Sequence, residues 1–351
     1  MRAFGPRAAV ARPPHSAAKA FALARELGLA SRIGARHSHA VLLDELGEPI
    51  AAELSRSRVE VAALEALLRQ AVTEVVQAGH ALGAPCVLLK FAALNRLGVA
   101  RPGSRGATDI DVLVPRPLVK SLEVELFSRG YRPDTTVSAS AHQRQGIITP
   151  EGVLLELHLH VPGLRLAHSA DYVGAEDLMF AGLVVRSGGA WVPTSAVLVA
   201  HAILHGFSQH ARAPHMHSPL RTFADLIDLV DHDPASFDLA GALLGHSLLP
   251  RDVTDILDDA RSLAAGEAHG TMPSRRALRH AIASQLDSSY ARQLRLRVFT
   301  QPGPGSVHLT PKRLISLLGE VVGLGTTEAA LLCATSRQER SSRLSARGRD
   351  K

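Results

Sequence analysis

The sequence predicts an α/β fold, and three stretches carry that prediction. From Ser57 onward, Val61, Leu64, Leu68, Val72, Val75 and Val76 recur at helical spacing. Two short apolar runs, Cys86-Val87-Leu88-Leu89-Lys90 and Asp109-Ile110-Asp111-Val112-Leu113-Val114, read as buried strands. Val153 to Val161 is a further strand whose end alternates, with Glu156, His158 and His160 on one face. The order strand, helix, strand, helix, strands makes an α/β unit of about one hundred residues.

Taken in order, residues 1 to about 50 mix short apolar patches with Gly, Pro and Arg. Ala17 to Leu29 reads as a helix ending near Gly28, and Val41-Leu42-Leu43 as a short strand or a turn of helix. Ser57-x-x-Glu60 has the form of a capping box, so the long helix is expected to begin there and to stop near Gly79 or Gly83. A short helix, Phe91 to Leu97, follows the first strand, and a loop with Gly98, Pro102, Gly103 and Gly106 leads to the second. Leu118 to Arg129 reads as a helix, and 135 to 148 holds one or two strands. After Pro193 the pattern turns helical: Ser195 to Phe207, Leu220 to Val230, Leu239 to Leu248, Val253 to Ala265, and an Arg-rich stretch from 276 to 298. The expected organisation is an N-terminal extension (1–56), a core (57–182), a helical C-terminal region (183–335) and a basic tail (336–351).

Composition narrows the function classes. The chain has 351 residues, 46% apolar and 21% charged, which describes a soluble globular protein with a real core. Aromatics are only 4%, too few for a strong stacking surface for nucleic acid. Net charge is +6, carried mostly by arginine; the basic, aperiodic stretch from Arg337 to Lys351 reads as a solvated tail. Cys86 and Cys333 make no disulfide framework, and the chain reads as cytoplasmic. The most apolar long segment, Leu314 to Ala334, contains Glu320, Glu328 and three glycines, a poor membrane span.

The chemistry centres on Asp109 and Asp111. On a strand they point to the same face, and two like charges side by side repel. A shared hard cation removes that cost, and carboxylate oxygens are its preferred ligands. Glu156 begins an alternating face on the next strong strand and is the natural third carboxylate. Two divalent ions held by such a set clamp nucleotide phosphates and stabilise a leaving pyrophosphate. Lys90 ends a buried run, where a lysine needs a reason; a phosphate is one, and snorkelling to solvent is the plain alternative. Arg105, four residues before Asp109, is placed to neutralise a triphosphate.

Val87 to Leu94 with Lys90, then Arg105-Gly106-Ala107-Thr108-Asp109-Ile110-Asp111-Val112-Leu113-Val114, then Leu126 to Tyr131 and Glu156-Leu157-His158, resemble the uncharacterised nucleotidyltransferase family of the polymerase-β-like superfamily. Leu204-His205-Gly206 and Arg221 to Leu229, with Asp225, resemble its helical C-terminal part, and His142 a histidine that the family places before the acidic-x-His strand. The likeness covers roughly residues 60 to 230. It implies a polymerase-β-like α+β core with a small mixed sheet, flanked by an N-terminal helix and a helical C-terminal region. It implies transfer of a nucleoside monophosphate from a nucleoside triphosphate to an acceptor, with two magnesium ions (or manganese) on Asp109, Asp111 and Glu156. Lys90, Arg105 and Ser104 would contact phosphates, and His142, His158 and His205 would lie on the acceptor side. The acceptor is a small molecule, a peptide or a protein; neither nucleic acid nor membrane is expected. At Phe91 the sequence departs from the family, which has a glycine there to admit the phosphates. The alternative reading is therefore a catalytically impaired module that binds a nucleotide or a partner.

Several residues also have purely structural readings. Glu156 could pair with an arginine, and His158 and His160 could be half-buried histidines on a mixed face. His201 and His205, one turn apart with His210, His215 and His217 nearby, have zinc-like spacing but read better as a helix face and a polar loop. Arg221 and Asp225 read as an i,i+4 salt bridge.

Overall fold

The computed structural model describes residues 24–25, 28–135, 143–166, 173–209, 219–245 and 253–264. His142, His210, His215, His217, Cys333, the Arg-rich stretch at 276–298, the 314–334 segment and the basic tail lie outside them, as does most of the helix expected before Gly28.

The N-terminal part is helical: α1 (Ala30–Arg36), α2 (His39–Leu46) and α3 (Glu48–Ala81). Val41 to Leu43 thus belongs to a helix, capped by the Ser38 side chain. Ser57 is no cap, because α3 starts nine residues before it, at Glu48. The start signal is Gly47 at the cap, an acidic residue in the first turn and Pro49, whose fixed φ suits the first helical turn. At about 1.5 Å per residue, the 34 residues of α3 extend roughly 51 Å. Its inner face buries Leu68, Ala71, Val72, Val75 and Val76 against the sheet, each larger side chain contributing roughly 1.5–3 kcal/mol.

The sheet is mixed and has seven strands in the order β3-β4-β5-β2-β1-β7-β6. They are β1 (Val87–Leu88), β2 (Asp109–Leu113), β3 (Arg132–Pro133), β4 (Ile147–Ile148), β5 (Leu154–His158), β6 (Val184–Ser187) and β7 (Ala190–Pro193). β1 runs antiparallel to β2 and parallel to β7, while β2 and β5 are parallel. Helix α4 (Lys90–Arg96) joins β1 to the loop before β2, and α5 (Val119–Ser128) follows β2. A short α6 (Ala175–Phe180) precedes the β6–β7 hairpin. That hairpin was not expected: it adds two strands to the sheet between the core and the helical region.

Beyond Pro193 come α7 (Ser195–Ile203), a π-helical turn (Leu204–Gln209), α8 (Pro219–His232), α9 (Ser236–Leu244) and α10 (Val253–Ala264). Helix α7 packs on α9, α8 and β7, and α10 packs on α8. The expected mixed α/β core, with N-terminal helices and a helical C-terminal region, is the observed architecture. One continuous apolar core runs through it, from Leu68 on α3 and Leu88 on β1 to Phe223 on α8 and Phe237 on α9. No helix of the described residues is long and apolar enough to cross a membrane.

Candidate active site

β2 and β5 place their polar residues side by side, with Asp111 opposite Glu156 and Leu113 opposite His158. Opposed residues share a face, so Asp109, Asp111, Glu156 and His158 emerge together. Ile110 and Val112 point the other way and are fully buried.

β1 supplies the lysine. Leu89 donates its backbone N–H to the Asp111 carbonyl at 2.9 Å, and Lys90 then turns the chain into α4 with φ 43°. Among the described residues it is the one non-glycine at positive φ, a conformation that costs about 1 kcal/mol or more. The turn brings Lys90 Nζ to 2.7 Å from Asp111 Oδ1. Asp111 is 3% exposed, and the same Oδ1 accepts a hydrogen bond from His158 Nε2 at 2.8 Å. An ionised carboxylate can only accept, so Nε2 carries the proton. His158 Nε2 also lies 3.6 Å from Glu156 Oε2.

These contacts set the charges. Burial pushes the Asp111 carboxyl up, but the Lys90 ammonium and the His158 bond overcome it and hold it well below the usual range. Asp109 goes the other way: burial raises it, Asp111 raises it further, and Lys90 and Arg105 only partly offset this. Two carboxylates on one strand therefore differ in proton affinity because one of them holds the lysine.

Asp111, Glu156 and His158 each offer a ligand atom, all within 4.8 Å of one another. Carboxylate oxygens suit magnesium and manganese, whereas His158, whose Nε2 donates its proton to Asp111, would ligate through that nitrogen only after losing the proton. The donor set fits a divalent cation. Both bonds to Asp111 fall on Oδ1, so Oδ2 carries neither.

The phosphate candidates are placed differently from one another. Arg105 Nε lies 2.9 and 2.8 Å from the two oxygens of Asp225. Its guanidinium carbon stands 5.8 Å from the centroid of the Phe91 ring. That ring is 3% exposed and part of the core; it props Arg105 instead of standing open to solvent. Ser104 is 2% exposed, and its backbone carbonyl accepts a bond from Ser31 on α1 at 3.1 Å. The loop there is pinned by Gly103, whose N–H donates to the buried Glu65 at 2.9 Å. Gly103 has φ 74°, and a Cβ would sit 2.6 Å from the Arg58 carbonyl, so only glycine fits. Arg221 and Asp225 form no ion pair with each other. Asp225 instead accepts from Arg32 at 2.9 Å as well as from Arg105, and Arg221 donates Nη2 to the Gly106 carbonyl at 2.7 Å.

The expected acceptor-side histidines divide. His158 is a member of the site, whereas His205 lies on the π-helical turn, edge-on to His201 with ring centroids 5.9 Å apart. Neither of these two belongs to the metal-competent group found among the described residues. His201 is buried, and among the described residues its Nε2 has no hydrogen-bond partner. Burial pushes its pKa from 6.5 down to about 3, with the Lys90 charge adding to the push. Folded protein thus binds no proton there while the unfolded chain does. Stability from this group is complete above pH 6.5 and drains as pH falls toward about 3. The expected slope is roughly 1 kcal/mol per pH unit across that window. Urea unfolding between pH 7 and pH 5 should show a shallower pH slope for His201→Leu than for wild type; equal slopes would exclude this origin.

Residues 13–265 match a family model described as an uncharacterised nucleotidyltransferase. The chain belongs to that family. The matched span contains both carboxylate strands, Lys90, Arg105 and the Arg221–Asp225 helix. No curated protein matches the chain. Among solved structures, it is similar to the solution structure of the antibiotic-resistance factor ANT(2'')-Ia, at 17% identity and a TM-score of 0.32 over 56% of this chain and 93% of that one.

Proposed function

We propose that this nucleotidyltransferase moves a nucleoside monophosphate from a nucleoside triphosphate to an acceptor and releases pyrophosphate. One observation carries the reading: Asp111 on β2 stands opposite Glu156 on the adjacent parallel β5 and pairs with Lys90, with Asp109 on the same face of β2 opposite Leu154 and outside the close group of ligand atoms. Asp109, Asp111 and Glu156 would hold magnesium or manganese. The bound cations supply charge neutralisation for the phosphates and for the leaving pyrophosphate.

The chain's own groups do the rest. Glu156, half-buried and facing the site, takes the proton of the acceptor hydroxyl as its oxygen attacks the α-phosphorus. The bond from that phosphorus to the bridging oxygen breaks, and pyrophosphate leaves with both electrons. Lys90 and Arg105 meet the phosphates, and Ser104 holds the loop between them. His158 orients Asp111, while His142 and His205 are assigned to the acceptor by family resemblance alone; the acceptor is a small molecule, a peptide or a protein. We read the protein as cytoplasmic, where nucleoside triphosphates are plentiful and a buried thiol such as Cys86 stays reduced. The burial of the Phe91 ring supports this enzyme reading over a partner-binding scaffold.

The test is incubation of purified protein with α-labelled triphosphates, magnesium or manganese, and a cell-extract pool of acceptors. Metal-dependent pyrophosphate release and a nucleotide-sized mass gain on an acceptor are expected, both lost in Asp109→Ala. Release that persists in Asp109→Ala, or none with any triphosphate and either metal, would sink the proposal.

A further inference from the structure

Two buried or half-buried guanidiniums converge on the carboxylate of Asp225, and a third, Arg221, stands on the same helix without bonding to it. Arg105 and Arg32 both bond to Asp225. Arg32 also pairs with Asp228, which Arg36 shares at the outer edge. Arg221 stands one turn before Asp225 on α8 and reaches back to the loop that leads into β2. Its only described bond is to the carbonyl of Gly106, and the described residues place no carboxylate within ion-pair distance of it. A cation held this way inside a protein is costly unless an anion completes it.

The charges around Arg221 sharpen the point. Burial lowers its pKa and the nearby Arg105 lowers it further, with Asp225 and Asp109 opposing. Arg105 is locked through Nε, and among the described residues neither of its Nη groups has a bond. A propped guanidinium with free Nη groups suits forked contacts to phosphate oxygens. Arg221 feels the charges of both Arg105 and Asp109, and its bond to the Gly106 carbonyl holds it beside the loop that runs into β2.

We propose that Arg221 and Arg105 form a polyphosphate subsite for the β- and γ-phosphates of the nucleoside triphosphate, with Asp225 as the positioning residue that holds Arg105. The assignment of those phosphates rests on the nucleotidyl-transfer reading above; the polyphosphate subsite itself does not. Asp225 is anchored in turn by Arg32 of α1, so the N-terminal helices help set the angle of the phosphate clamp. Arg36, exposed at the far end of the network, takes no part in it.

Calorimetric titration of metal-free protein with inorganic tripolyphosphate tests this without any turnover. Wild type should bind, and Arg221→Gln should bind at least tenfold more weakly. Thermal midpoints equal to wild type would confirm an intact fold. Asp225→Asn should also weaken binding, because Arg105 loses its brace, whereas Arg36→Gln should match wild type. Tripolyphosphate binding that is absent in wild type, or unchanged in Arg221→Gln, overturns the proposal. Arginine-dependent binding in a protein that transfers no nucleotide would uphold the subsite and sink the transfer reaction instead.

Discussion

Asp111→Asn should reduce nucleotidyl transfer by about three orders of magnitude while leaving the fold in place. Preorganised charges at a reacting phosphate are worth roughly 3–4 kcal/mol each when removed, and Asp111 acts on two sides. It is a cation ligand in the proposed site, and it is the acceptor for both Lys90 and His158. Asparagine keeps the shape and one carbonyl acceptor but gives up the charge. Lys90 is then left without an anion at 2.7 Å, yet its side chain is 20% exposed and can turn its ammonium to water, which limits the loss of stability to about 1–2 kcal/mol. Pyrophosphate release at saturating metal, beside the thermal midpoint, separates the two effects. Activity within tenfold of wild type would remove Asp111 from the chemistry. The pH dependence adds a second check. Asp109 is raised by burial and by Asp111, so metal affinity should begin to fall, on acidification, at a higher pH than an ordinary carboxylate would give. Removing the Asp111 charge takes away one cause of that rise, so the fall in Asp111→Asn should move to lower pH.

What the residues disclosed, and what they concealed, follows from the range of the interactions. Asp109-Ile110-Asp111 could be placed on one strand face because strand periodicity is local. Glu156 could be matched to it because its own strand alternates, although the register that sets Asp111 opposite Glu156 comes from the folded sheet. The start of α3 was misplaced because Ser57-x-x-Glu60 is a valid cap pattern that lies inside a longer helix. Gly47-Glu48-Pro49 held the better signal. The β6–β7 hairpin was legible too: Val184 to Ser187 and Ala190 to Pro193 flank Gly188-Gly189, a two-residue turn pair that suits a hairpin. The arginine network was not legible. Arg32 and Arg105 meet Asp225 across 193 and 120 residues of chain, and nothing local to any of the three names the others. The same distance concealed the role of Phe91, whose ring became a support for Arg105.

Asp225→Ala should be among the most destabilising single changes in the protein, at about 3–5 kcal/mol. The carboxylate is buried, and its two arginine partners hold it well below the usual carboxylate range against the upward push of burial. Removing it leaves Arg32 and Arg105 without that partner and adds their repulsion of Arg221. None of the three can swing freely to water, since Arg32 is pinned between α1 and α8 and Arg105 lies on the Phe91 ring. Asp228→Ala is the matched control. It removes a carboxylate from the same network, but one that is more exposed and shared with the partly exposed Arg36, so its cost should be nearer 1 kcal/mol. For a chain of this size the difference between the two variants corresponds to a midpoint gap of roughly 3–6 °C. Tripolyphosphate should raise the midpoint of Asp228→Ala about as much as that of wild type and raise that of Asp225→Ala less, because Arg105 has lost the brace that aims it at the anion. Equal costs for the two substitutions would mean that the network is a surface feature and that Asp225 braces nothing.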